Sequence, residues 1–118
     1  MSRYKRLIVW QKSIDLVKDI YNIAEYFPKN EIFGLTSQIK RSVISIPSNI
    51  AEGKGRKSKK EFINFLHISL GSLYELQTQI FIASELKLIN DNDLKRLNMK
   101  MDEIEKMINS LIAYTKTN

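Results

Sequence analysis

Phe62, Leu66, Ser69, Leu73, Leu76, Ile80 and Ala83 step by 4, 3, 4, 3, 4 and 3 along the middle of this 118-residue chain. Only a helix returns residues at those intervals to one face, and the run is far too long for a strand. Phe65, Leu70, Tyr74 and Phe81 lie off the stripe, so this helix is apolar on more than one side. It opens at Ser58-Lys59-Lys60-Glu61, where a serine followed three residues later by a glutamate forms a capping box. Gly71, between Leu70 and Ser72, costs about 1 kcal/mol against alanine inside a helix, which suggests a close helix–helix approach there.

The same spacing recurs on both sides. Trp10, Ile14, Val17, Tyr21 and Ala24 form one stripe of a first helix, and Ser13, Leu16, Ile20, Ile23 and Phe27 form another beside it. Pro28 ends that helix, because the residue before a proline is pushed out of the helical region. Ile32, Leu35, Ile39, Ser42 or Val43, Ile46 and Ile50 mark a second helix, with Gly53 a candidate left-handed C-terminal cap. Pro47 lies inside it, removes one backbone donor and crowds the carbonyl of Val43, so a kink or a broken turn is expected. Asn90-Asp91-Asn92-Asp93 supplies a turn and an N-cap for a fourth helix carrying Leu94, Leu97, Met101, Ile104, Ile108 and Leu111.

Helices over about 8–27, 32–52, 59–87 and 92–115 with short connections predict one all-α domain over 1–118. The expected fold is an antiparallel up-down-up-down four-helix bundle, its second helix kinked near Pro47. The stripes on the first and third helices exceed what one internal core needs, so these helices are expected to carry self-association.

Charge is concentrated where that topology makes it matter. Lys54, Arg56, Lys57, Lys59 and Lys60 fall within seven residues, and the net charge is +6. In an up-down bundle the chain start, this second connection and the end of the fourth helix share a pole. Arg3, Lys5, Arg6, Lys12 and Lys116 therefore join the five cations there, while the opposite pole is mixed. The cluster reads as a solvated loop or as a surface for phosphates, with lipid headgroups a lesser third reading. Tyr4, Trp10 and Phe62 are near enough to stack on bases, although Trp10 and Phe62 also lie on apolar stripes.

Other chemistry finds little support. There is no cysteine and one histidine, His67, on a helix without the repeated Glu-x-x-His pattern of a di-iron bundle, so no metal or cofactor is expected. Gly53-Lys54-Gly55-Arg56-Lys57-Ser58 lacks the spacing of a phosphate-binding P-loop and follows a helix instead of a strand. Asn49 and Glu52 read as partners for backbone groups freed by Pro47 or for the adjacent cations, and no catalytic residue is assigned. Leu7-Ile8-Val9-Trp10 is too short for a signal peptide's apolar region, and no run approaches a membrane span. A cytoplasmic location with no membrane partner is expected.

Several segments occur in an order that resembles a known family. They are Leu7-Ile8-Val9-Trp10-Gln11-Lys12, Phe27-Pro28, Glu31-Ile32-Phe33-Gly34-Leu35, Gln38-Ile39-Lys40-Arg41-Ser42, Ser45-Ile46-Pro47-Ser48-Asn49-Ile50-Ala51-Glu52-Gly53, Ser58-Lys59-Lys60-Glu61-Phe62 and Gly71-Ser72-Leu73-Tyr74-Glu75-Leu76. Together they resemble the bacterial four-helix bundle proteins called 23S rRNA intervening-sequence proteins. That family includes the accessory variability determinant of diversity-generating retroelements. The likeness runs from Leu7 to about Leu88 and is generic in the fourth helix.

The resemblance implies antiparallel bundles assembled as ring-shaped homopentamers. It also implies a basic surface that binds nucleic acid, as the retroelement member does alongside its reverse transcriptase. By position it marks Lys40, Arg41, Lys54, Arg56 and Lys57 as nucleic-acid contacts, to which the charge cluster itself adds Lys59 and Lys60. Many relatives have two arginines where this chain has Lys40-Arg41, which keeps the charge and loses one bidentate fork. The expected function is a non-enzymatic homo-oligomer that binds nucleic acid, structured RNA ahead of DNA. The alternative is a scaffold docking a partner protein such as a reverse transcriptase, without nucleic-acid specificity of its own.

Overall fold

The computed structural model describes residues 3–31 and 34–118. A 3₁₀ turn over Arg3–Arg6 leads into α1 (Ile8–Ala24), and a second 3₁₀ turn over Lys29–Glu31 precedes α2 (Leu35–Lys54). Two long helices follow, α3 (Lys59–Glu85) and α4 (Asp91–Thr117). Each helix packs on its neighbours in sequence and α4 closes onto α1, while among the described residues the diagonal pairs α1–α3 and α2–α4 bring no two Cα atoms within 8 Å. Consecutive helices that pack together across short connections run in opposite directions, which gives a four-helix bundle 45 Å long and 24 × 23 Å across.

The core follows the stripes. All seven positions of the α3 stripe from Phe62 to Ala83 are buried, six of them completely or within 1% of it. On α1 the row Ser13, Leu16, Ile20 and Ile23 faces the core, and Phe27 continues it beyond the helix end. The row beside it also serves this core: Trp10, Val17 and Tyr21 are half-buried against it. On α3, by contrast, Ile68, Tyr74, Phe81 and Ile82 remain exposed.

The helix ends show how local chemistry sets the boundaries. Ser58 Oγ accepts from the Glu61 N–H at 3.1 Å, and Asn90 Oδ1 accepts from the Asp93 N–H at 2.8 Å, so both expected N-caps form. α3 ends in a Schellman motif, with the Leu88 N–H on the Ala83 carbonyl and the Lys87 N–H on that of Ser84. Lys87 occupies the left-handed position at φ 60°, where glycine would be less strained. α1 stops at Ala24, earlier than the expected 27, because Tyr26 and Phe27 donate back three residues in a tightened turn ahead of Pro28. Phe27 stays in the core from outside the helix. α2 begins at Leu35, and Ile32, expected as its first apolar residue, lies outside the described residues.

α2 and α3 make the most extensive contact in the bundle, and small residues explain it. Ser45 and Ser72 hydroxyls meet at 2.8 Å, and Ser69 Oγ, fully buried, donates to the Ile46 carbonyl at 2.9 Å. α2 runs unbroken through Pro47, with the Ser45 carbonyl also accepting from Asn49 Nδ2 at 2.8 Å. Side-chain donors thus reach carbonyls in the turn where proline loosens the backbone ladder.

Neither of two glycines has the role expected of it. Gly53 is not a left-handed cap: no glycine among the described residues has positive φ, and α2 continues past it to Lys54. A Cβ there would lie 2.5 Å from Phe65 Cβ and 3.3 Å from the Phe62 carbonyl oxygen, so Gly53 is the close-approach residue. Gly71 is exposed, with no atom within 4 Å of where a Cβ would stand.

Candidate functional site

Three segments converge at one end of the bundle: the Arg3–Arg6 turn, the connection from α2 to α3, and the last turn of α4. Arg3, Lys54, Arg56 and Lys57 line two adjoining open grooves there, of about 540 and 350 Å³. Tyr4 and Gly55 complete the larger groove. The smaller adds Ser58, Lys59, Phe62, Leu111, Tyr114 and Asn118, drawn from α3 and α4.

Two of these cations are held in place by aromatic faces. The Lys54 ammonium sits 5.2 Å from the centroid of Phe62, and the Arg56 guanidinium 5.0 Å from that of Phe65. Such contacts contribute about 0.5–1 kcal/mol at exposed positions and leave the outer side of the cation free. Phe62 and Phe65 also pack on Gly53, so the close α2–α3 approach places the charged loop directly on the core.

Neutralising groups are scarce. Glu52 bonds Arg56 at 2.8 Å, an exposed pair that contributes little to stability. Among the described residues no carboxylate pairs with Lys54, Lys57, Lys59 or Lys60. Lys59 and Lys60 also occupy the first turn of α3, where the helix dipole disfavours cations by about 0.3–1 kcal/mol each. A bound anion would reverse that penalty, since the same dipole favours it.

The seven residues singled out by sequence do not form one cluster. Lys54, Arg56, Lys57 and Lys59 border the grooves, and Lys60 is exposed on the adjacent turn. Lys40 and Arg41 stand on α2 fourteen and thirteen residues before Lys54, about 20 Å away at 1.5 Å per residue. There Lys40 lies 4.8 Å over the ring of Tyr21. Arg3 proves central, because it lines both grooves. Tyr114 and Asn118 were not singled out; their signal was topological, since an up-down bundle returns the end of its fourth helix to this pole.

Asn49 and Glu52 are occupied elsewhere, Asn49 on Ser45 and Glu52 on Arg56. His67 is exposed, and the described residues contain no group of three side chains able to hold a metal ion. No helix among them is long and apolar enough to cross a membrane.

A second charged array, missed in the sequence, joins α1 to α4. Asp19, whose side chain is only 12% exposed, receives two bonds from Arg96 at 2.8 and 2.9 Å and one from Lys100 at 2.9 Å. Lys100 also reaches Asp15, and Lys12 pairs with Glu103. The matching spacings of four, Asp15 to Asp19 and Arg96 to Lys100, were the available signal. The Arg96 guanidinium holds the Asp19 carboxyl below its ordinary range, against the upward push of partial burial and with help from Lys100. A depressed folded-state value stabilises the fold above the unfolded value near 3.9 and loses that effect as pH falls through the folded value. Asp19→Asn is therefore expected to lose about 2 kcal/mol at pH 7. In urea denaturation its difference from wild type should shrink at pH 3, and a difference that does not change with pH would contradict this account.

Residues 5–110 match the family model described as 23S rRNA-intervening sequence protein. The fold is similar to the crystal structure of a protein of unknown function from the S23 ribosomal protein family of Bacteroides thetaiotaomicron. That match has a TM-score of 0.83 and 28% identity, and covers 90% of this chain and 96% of that one. No curated protein sequence matches significantly.

Proposed function

The chain belongs to the 23S rRNA-intervening sequence protein family, and from that premise and its basic pole we propose a non-enzymatic, homo-oligomeric bundle that binds structured RNA. The observation that carries this reading is the convergence of Arg3, Lys54, Arg56, Lys57 and Lys59 on two open grooves whose only carboxylate partner among the described residues is Glu52. A phosphate backbone supplies the charge such a surface lacks, and contacts of this kind bind by charge and shape. Assembly supports the same function by multiplying the poles, so that weak contacts act together. The exposed Ile68, Phe81 and Ile82 on α3 favour that assembly, as a pentamer on the family resemblance.

The same α3 face favours a second reading, a scaffold that docks a partner protein while the charge only steers the encounter. Fluorescence anisotropy with a labelled RNA hairpin separates the two. Wild type is expected to bind at low salt, and a variant with Lys54, Arg56, Lys57, Lys59 and Lys60 all changed to glutamine is expected to bind far more weakly. No binding by wild type would leave the scaffold, and equal binding by the variant would remove the pole as the site. Light scattering at tens of micromolar is expected to find an oligomer; a monodisperse monomer would overturn the assembly.

A further inference from the structure

We propose that the basic pole takes an unpaired strand in preference to a duplex, with bases stacked on Tyr4 and Tyr114 on either side of a ridge of cations. This rests on the nucleic-acid reading above and narrows its ligand from structured RNA as a whole to the unpaired loops and ends that such RNA presents. The two grooves share Arg3, Lys54, Arg56 and Lys57, so these residues form the divide between them. Each groove then has one tyrosine of its own, Tyr4 in the larger and Tyr114 in the smaller.

Both rings have a face to offer. Tyr114 is 63% exposed. Tyr4 is half-buried and meets Trp10 edge-to-face, with centroids 5.3 Å apart at 68°, a contact that covers at most one face of its ring. The smaller groove adds Phe62 and Leu111, an apolar lining beside its cations. Cations at the centre with aromatic surface on each flank are what a single strand uses: phosphates on the ridge and bases turned aside into the grooves. A duplex keeps its base faces inside its own stack and can engage only the cations, so it leaves both tyrosines idle.

The experiment compares a labelled single strand of mixed sequence with a blunt duplex of equal length, using the full chain at one fixed salt concentration. The strand is run as RNA and as DNA, since stacking does not read the sugar. Tyr114→Ala is expected to weaken strand binding about tenfold and duplex binding by less than about twofold, with Tyr114→Phe close to wild type. Because Tyr114 is exposed, both variants should melt with wild type, which a thermal scan confirms. Equal losses on strand and duplex, no loss on either, or a duplex bound more tightly than the strand would each overturn the proposal. If both ligands bind and both are lost when the five cations become glutamine, yet neither responds to Tyr114, the basic pole stands and only the stacking falls. No binding of either ligand by wild type removes both readings together.

Discussion

Gly53→Ala is expected to destabilise the bundle by about 3 kcal/mol, while Gly71→Ala stabilises it by about 1 kcal/mol. The first effect follows from what a methyl at position 53 would strike. Phe65 Cβ and the Phe62 carbonyl, at 2.5 and 3.3 Å, belong to the frame of α3 and cannot swing away as the end of a long side chain can. Relief requires α2 and α3 to separate, which weakens the Ser45–Ser72 and Ser69–Ile46 bonds and opens a gap where interiors are densely packed. The cationic loop would shift as well, since Lys54 and Arg56 rest on the same two phenylalanines. At position 71 the added methyl meets nothing within 4 Å and only reduces the freedom of the unfolded chain. Urea denaturation of the two variants reads both effects. A cost below about 1 kcal/mol at position 53 would show that the α2–α3 approach is looser than its geometry, and a loss at position 71 would show that another molecule covers that face.

These two glycines mark where sequence stops being legible. The α3 stripe is readable because 3.6-residue periodicity is a property of one helix, and all seven of its positions are in the core. Ser58 and Asn90 are readable as caps for the same reason: each bonds three residues along its own chain. A glycine needed by a neighbouring helix has no such local signature. Gly53, two residues from Gly55 near a helix end, looks like a cap, while Gly71, between apolar residues and serine, looks like a packing site. Only the register of α2 on α3 decides between them. The Asp19, Arg96 and Lys100 array was hidden in the same way, because charges on separate helices look like solvated faces until the helices meet.

The candidate site was half legible. Topology alone brought Arg3 to Lys54 and its neighbours, since an up-down bundle must return its start and its second connection to one end. Lys40 and Arg41 entered through the family resemblance and not through topology, and at 1.5 Å per residue along α2 they stand about 20 Å from that end. The second stripe of α1 has a use that periodicity alone does not show: a helix at the corner of a square bundle touches two neighbours and needs apolar residues toward both, as Trp10, Val17 and Tyr21 do.

Salt dependence should separate the two groups of cations by a large margin. Each phosphate neutralised adds a slope of about −0.9 in log affinity against log salt for a duplex and about −0.7 for a single strand. If Lys54, Arg56, Lys57, Lys59 and Lys60 each hold a phosphate, a protomer contributes a slope of about −3.5 on a strand. Affinity should then fall roughly a hundredfold between 50 and 200 mM salt. The variant with those five changed to glutamine should lose most of that slope as well as affinity, because fewer counterions are released. Arg3→Gln is expected to flatten it by less than one unit and still be detectable, since Arg3 borders both grooves. The pair Lys40→Gln and Arg41→Gln acts only through the long-range field, which is screened beyond about 10 Å at 0.1 M salt, and should leave the slope unchanged. The opposite result, a slope that survives loss of the five cations and collapses with Lys40 and Arg41, would move the interface onto the side of α2. The cations of the second connection would then serve only to keep the protein in solution.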